Sequence, residues 1–351
     1  ASEQTCTAWR TCCSVAARAS KCCALSSASR ASRLSLSRST CGGIRSGACS
    51  NALDACECLP EIGGVLHLEH FNFEMLDHDI ATIFFMNGLG LTRDPYRRAD
   101  ENNMGVNVGM QQFHLPRRGR KTPPFYGEVG LVVPDIQLIR ARLERLDRMH
   151  RFEGTAYQIT AVGEKDLKLI SPWGIPMRLW QMGTLPFQKP LGLTYVDIPV
   201  EHGKTDELVV FYREFLRTPF RQETLNGETV AIFTVGPHQY LRFREQDLED
   251  YNLYDFHVAY YVTNYNEVRD AAMKAGKLQG EGRGQVCFIE GPFDPVSGKS
   301  ILKFQQEWRS VYHPDFMRPL VNRWPIISEP FLDQAEIVAD LEDVPGLSYP
   351  A

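Results

Sequence analysis

Between Val65 and Phe85 the sequence reads VLHLEHFNFEMLDHDIATIFF, which sets three histidines, two glutamates and two aspartates into a run otherwise built like core. Side chains alternate across a strand, so His70, Asn72 and Glu74 share one face while Phe71, Phe73 and Met75 share the other. An imidazole on the polar face of such a strand has two uses. It lines a cleft and offers a nitrogen lone pair to a divalent ion, or it is simply solvated. His67, Glu69, Asp77, His78 and Asp79 are read as solvated or helix-capping groups, and His70 as the residue that lines a cleft.

The elements that must position these groups repeat. Four segments, starting at His70, Glu128, Tyr195 and His257, carry the same pattern of a short strand, a turn and an amphipathic helix. Asp, Asn or Thr introduces each helix, and apolar residues follow at three-and-four spacing, as in Ile136, Ile139, Leu143 and Leu146. Alternating stretches such as GVNVGMQQFHLP and TVAIFTVGPHQYLRFRE then read as further strands. The repeated unit is therefore βαβββ, and one unit cannot cover both faces of its own small sheet. The expected fold class is α+β, with four such units paired into two domains whose curved mixed sheets surround clefts.

The pattern D-x-x-x-A-x-x-F-F over Asp77–Phe85, followed by GLGL at Gly88–Leu91, resembles the opening motif of the vicinal oxygen chelate superfamily, the glyoxalase, bleomycin resistance and extradiol dioxygenase fold. SPWG at Ser171–Gly174 and DPVSG at Asp294–Gly298 resemble its turn before the last strand of a unit. The resemblance covers roughly 65–308, and it implies domains over 65–184 and 190–309, each made of two consecutive units. It also implies that every unit gives one cleft position from its first strand and one from its last. In the first domain these positions fall on His70, His114, Glu128 and Arg178, with Gln112 beside His114. His70, His114 and Glu128 are then the expected ligands of a divalent metal (Fe, Zn, Mn or Ni). Arg178 and Gln112 would contact substrate, Arg178 pairing with an anionic group. Glu74, one pleat along from His70, is the candidate general base. In the second domain the same positions fall on Tyr195, Arg242, His257 and Lys303. Without a carboxylate among them that cleft is expected to hold no metal and to serve a structural role or bind an anion.

Composition narrows the classes. The chain has 351 residues and a formal net charge of -5, with no electrostatic footprint for nucleic acid, and no apolar run reaches the roughly 20 residues of a membrane span. The basic run Pro116–Lys121 reads as a solvated connection or as an electropositive lip to the cleft. Nine of the 10 cysteines precede residue 60 and only Cys287 follows, so the globular part has no disulfide framework and suits a reducing compartment. Residues 1–60, rich in Ser, Ala and Arg, resemble an organelle transit peptide, plastid more than mitochondrial; a mitochondrial or cytoplasmic location, or a disordered tail without targeting function, is the alternative. Residues 310–351 read as an extended, Pro-rich tail. Two functions follow from the resemblance. One is a metal-dependent lyase, isomerase or dioxygenase for a small substrate with vicinal oxygens. The other is a metal-free ligand-binding or accessory protein of an organelle complex. A homodimer is compatible with both, because clefts of this kind form within a chain or across two.

Overall fold

Each unit opens on a strand dense in aromatic and β-branched residues, which suit a pleated, buried surface. The structure, a computed structural model, describes residues 63–94, 102–119, 121–225, 227–248 and 253–317. The expected leader and nearly all of the expected tail lie outside these residues. The first unit comprises β1 (Val65–Phe73), α1 (His78–Ala81, continuing as a π-helix over Thr82–Gly88), β2 (Thr92–Arg93), β3 (Asn103–Val108) and β4 (Gln111–Pro116). The second comprises β5 (Glu128–Val133), α2 (Ile136–Arg148), β6 (Gln158–Val162), β7 (Asp166–Ile170) and β8 (Pro176–Gln181). The third comprises β9 (Gly192–Val200), α3 (Lys204–Val209, continuing as a π-helix over Val210–Phe215), β10 (Phe220–Leu225), β11 (Glu228–Thr234) and β12 (Tyr240–Glu245). The fourth comprises β13 (Leu253–Val262), α4 (Tyr265–Lys274), β14 (Leu278–Gly282), β15 (Val286–Phe293) and β16 (Ser300–Ser310).

Side-chain caps start two of the four helices, whereas Gly203 before α3 and Asn264 before α4 make no such bond. The Asp77 carboxylate accepts from the Asp79 amide at 2.7 Å and caps α1, and Asp135 accepts from the Leu138 amide at 3.0 Å and caps α2. The widened π turns of α1 and α3 mark the first and third units as one kind, while α2 and α4 are plain α-helices.

Two eight-stranded mixed sheets result, in the orders β14-β15-β16-β13-β1-β4-β3-β2 and β10-β11-β12-β9-β5-β8-β7-β6. The pairing of units differs from the first-with-second and third-with-fourth order expected from sequence. The first unit joins the fourth through antiparallel β1 and β13, and the second joins the third through antiparallel β5 and β9. Apolar alternation fixes which face of a strand is buried, but it carries nothing about which distant strand lies alongside. Here the β1–β13 pairing buries Phe71 flat against Phe256, with ring centroids 6.0 Å apart and planes within 5°. Helices and inner faces of both sheets contribute to one continuous core. Gly88 of α1 shows how close the approach is, since a Cβ there would stand 2.7 Å from Leu143 of α2. Tyr212 of α3 reaches the other sheet, where its hydroxyl accepts from Gln306 of β16 at 2.7 Å.

Candidate metal centre

On the face of the first sheet turned away from that core, β1, β4, β13 and β16 bring their polar side chains together. His70 Nε2 lies 3.0 Å from His257 Nε2 and 3.4 Å from Glu307 Oε2, and His257 Nε2 lies 3.6 Å from the same oxygen. For metal–ligand bonds near 2.0–2.2 Å, ligand atoms about 3.0 Å apart subtend a right angle and atoms about 3.4 Å apart a tetrahedral one. The three separations therefore describe one face of a coordination polyhedron, with room beyond it for further ligands. Two imidazoles and one carboxylate on one face suit a divalent transition metal, iron(II) among them. The residues fit the divalent ion that the sequence resemblance leads one to expect.

Glu307 and His70 are almost fully buried, whereas the His257 side chain retains 12% of its exposure and marks the open side. Burial lowers the pKa of His257, which favours the neutral, metal-binding imidazole. Burial alone would raise the Glu307 carboxyl, but the Arg309 guanidinium and the His70 ring hold it well below the usual carboxylate range. The Glu69 carboxyl is held low in the same way, burial being overcome by Arg309 and then His70. With neutral imidazoles, the two glutamates and Arg309 leave the cluster one negative charge, so a divalent ion would reverse its sign.

His114 lies with its ring stacked on that of His70, the centroids 3.6 Å apart. Its Nε2 donates to Gln112 Oε1 at 2.9 Å, and the Gln112 amide nitrogen donates to Asp94 at 2.7 Å and Asn107 at 2.6 Å. Gln112 is thus a buried amide that orients His114 and is occupied on both ends. A second group of liganding atoms, from Glu69, His70 and His114, also lies within 4.8 Å of one another. Its Glu69 oxygen, however, is already engaged by His70 Nδ1 and Arg309. The His70–His257–Glu307 set is therefore the better ligand set.

Glu128 does not reach this cluster. It belongs to β5 of the other sheet, where it accepts a short hydrogen bond from the Tyr195 hydroxyl. The reason is the sheet pairing, which gives the first unit the fourth as its partner instead of the second. Arg178 of β8 is on that second sheet as well, paired to Asp166 at 3.0 Å and stacked 4.8 Å from Trp180. There Gly130 makes room for Tyr195, for a Cβ at residue 130 would stand 2.3 Å from the Tyr195 ring. Arg242 covers the same ring at 4.6 Å and pairs with Asp197 at 3.2 Å. Arg178 and Arg242 are each matched by a carboxylate of the same face. Burial and Glu128 together push the Tyr195 hydroxyl well above its ordinary pKa.

Glu74 follows the end of β1, roughly 13 Å along an extended chain from His70. It is buried and paired with Arg118 at 3.2 Å, so it does not face the cluster as a base. Lys303 is exposed on β16, on the same alternating face as Glu307 and four residues short of the cluster. Asp77 caps its helix as expected, and Asp79 is exposed. His67 and Glu69 are buried instead of solvated, with His67 Nε2 3.0 Å from the Met110 carbonyl. His78 is half-buried, its Nε2 2.8 Å from the Leu115 carbonyl. Glu307 and Arg309 were not singled out from the sequence, although Lys303, Gln305, Glu307 and Arg309 follow one alternation that could have been extended to them.

No family model matches the sequence, and no curated protein matches it either. Solved structures do. Glyoxalase I from Zea mays is similar at 14% identity, over 72% of this chain and 94% of that one, with a TM-score of 0.50. A protein of Bacillus subtilis assigned as a dioxygenase is similar at 11% identity, over 80% of this chain and 97% of that one, with a TM-score of 0.47. The 2,3-dioxygenase LapB from Pseudomonas is similar at 17% identity, over 75% of this chain and 98% of that one, with a TM-score of 0.27. The likeness to glyoxalase I shows the fold: the chain has an α+β, glyoxalase-like architecture of two curved mixed sheets. Among the described residues no helix is long and apolar enough to cross a membrane.

Proposed function

We propose that this chain is a divalent-metal-dependent enzyme, of the lyase, isomerase or dioxygenase kind, acting on a small substrate with two adjacent oxygens. His70, His257 and Glu307 are its metal ligands. The observation that carries this reading is the triangle of 3.0, 3.4 and 3.6 Å drawn by their three ligand atoms. A bound ion would supply Lewis acidity and a template for the two substrate oxygens. The protein's own groups do the rest. The stacked His70 and His114 rings wall one side, the partly open His257 marks the approach, and the Asp94–Gln112–His114 hydrogen bonds hold the wall rigid. The second sheet, with its arginines matched to carboxylates and stacked on Trp180 and Tyr195, acts as the structural half.

Elemental analysis of the purified and reconstituted protein tests this. Iron, zinc, manganese or nickel should be present at about one per chain, be lost in His257→Ala and Glu307→Ala, and persist in Glu128→Ala. A wild-type protein that takes up none of the four metals would overturn the reading in favour of a metal-free ligand-binding or accessory protein.

A further inference from the structure

Behind the ligand atoms lies a second arrangement. The register of β1 against β13 slips between Leu68 and His70, so Glu69 is the extra residue of a bulge. A bulge breaks strand alternation and re-aims a side chain. In consequence Glu69 stands beside His70 instead of behind the sheet. Its Oε2 accepts a short hydrogen bond from His70 Nδ1 and also meets Arg309 Nη1 at 3.0 Å. Arg309 Nε in turn donates to Glu307 Oε1 at 2.6 Å. All three of these charged residues are at most 6% exposed. The bulge itself is tied down from the third unit. Gln239 accepts from the Leu68 amide at 3.1 Å and donates to the Leu68 carbonyl at 2.9 Å, replacing strand bonds that the slip would otherwise disturb.

A neutral imidazole has one N–H and one lone pair, and an ionised carboxylate can only accept. Glu69 therefore takes the proton of Nδ1 and turns the lone pair of His70 Nε2 toward His257 and Glu307. A guanidinium can only donate. By engaging Oε1 of Glu307, Arg309 leaves Oε2 as the oxygen that faces the two imidazoles. One cation thus holds an oxygen of each carboxylate, Oε1 of Glu307 and the Oε2 of Glu69 that also meets His70.

Resting on the assignment of His70, His257 and Glu307 as metal ligands, we propose that Glu69 and Arg309 are positioning residues that prearrange the site before an ion arrives. Glu69 selects the tautomer of His70, and Arg309 selects the liganding oxygen of Glu307. Outer-shell partners of this kind typically contribute 10–100-fold in metal affinity.

The test uses the full chain and cobalt(II) alone as the probe, titrated by its visible absorption. Glu69→Ala should bind cobalt about 10–100-fold more weakly than the wild type. In the metal-free protein, long-range proton–nitrogen correlation spectra should show His70 protonated on Nδ1 in the wild type and a mixture of tautomers in Glu69→Ala. A purely structural role for Glu69 would not move that spectrum. Because the single change strands the Arg309 charge, the paired variant Glu69→Leu with Arg309→Met guards against loss of fold. It removes both charges together and should weaken cobalt binding as much. Wild-type affinity in the paired variant, or an unchanged His70 tautomer, would overturn the positioning roles while leaving the metal centre standing. A wild-type protein that binds no cobalt would overturn both.

Discussion

Replacing Arg309 with methionine removes the cation from between two buried carboxylates, and the structure sets the scale of the effect. The guanidinium lies 3.0 Å from Glu69 and 2.6 Å from Glu307, with only 5% of its side chain exposed. At an effective dielectric constant near 20, each contact is worth about 5–6 kcal/mol of gross attraction. Desolvation of the three ions cancels much of that. Breaking a buried network by removing one partner still costs about 3–5 kcal/mol, because the remaining charges are left uncompensated. For a folded part of about 250 residues that corresponds to a fall in Tm of roughly 6–10 °C. The sign of the pH dependence is a second check. In the wild type both carboxyls are held low, so their contribution is complete above the unfolded value near 4.3 and is lost as the pH falls below it. Without Arg309 they are buried anions and their pKa values rise, so the variant loses stability as the pH climbs through the same region. The gap between the two proteins should be full at pH 7 and shrink on acidification toward pH 4. Urea unfolding of both proteins at the two pH values measures it. A loss under about 1 kcal/mol at pH 7, or a gap that stays constant down to pH 4, would refute the network.

Three further outcomes are expected. Gly130→Val should destabilise by about 1–3 kcal/mol or more and disturb the near-ultraviolet signal of the Trp180–Tyr195 pair, because a Cβ there meets the Tyr195 ring at 2.3 Å. An unchanged unfolding midpoint would show that the ring does not cross β5. Burial lowers the pKa of both His257 and His67, so their stabilising effect is whole above the unfolded value near 6.5 and declines as the pH falls from there. Each group contributes a slope of at most about 1.4 kcal/mol per pH unit. In metal-free protein, His257→Gln should flatten the stability profile below pH 6.5, and a profile of unchanged slope would count against its burial as a neutral ring. Phe113→Ala should cost about 3–5 kcal/mol by chemical denaturation, since Phe113 is buried against Phe73 and Phe85 on the opposite face of β4 from Gln112 and His114.

Much of the architecture was legible in local patterns. Asp77 and Asp135 announced two helix starts, the alternation of Gln112, Phe113, His114 and Leu115 separated a core face from a polar one, and the fourfold recurrence defined the units. The choice of partners was not legible, because Phe71 would be equally satisfied by any flat aromatic surface and nothing near it in sequence names Phe256. That one non-local fact decides the site. It removes Glu128 and brings His257 and Glu307 to His70. Glu69 escaped for a different reason, since a bulge inverts the parity on which strand reading depends. Glu307 escaped because β16 is long, with its polar face running from Lys303 to Arg309. The parity assigned to Lys303 was correct, and the displacement along the strand was four residues.

The nested pairing of units also bears on how the chain is made. The second and third units are neighbours in sequence and can close their sheet as soon as both have left the ribosome. By contrast, the edge of β1 that meets β13 must wait, because His70 and His257 are separated by 187 positions. At 5–20 residues per second, that interval lasts roughly 10–40 s of synthesis. Throughout it an aromatic-rich strand edge stands open to pairing with other nascent chains, a hazard that chaperones answer. The sheet of the second and third units is complete in synthesis before the sheet of the first and fourth, so His70, His257 and Glu307 can come together only when nearly all of the folded part has been made.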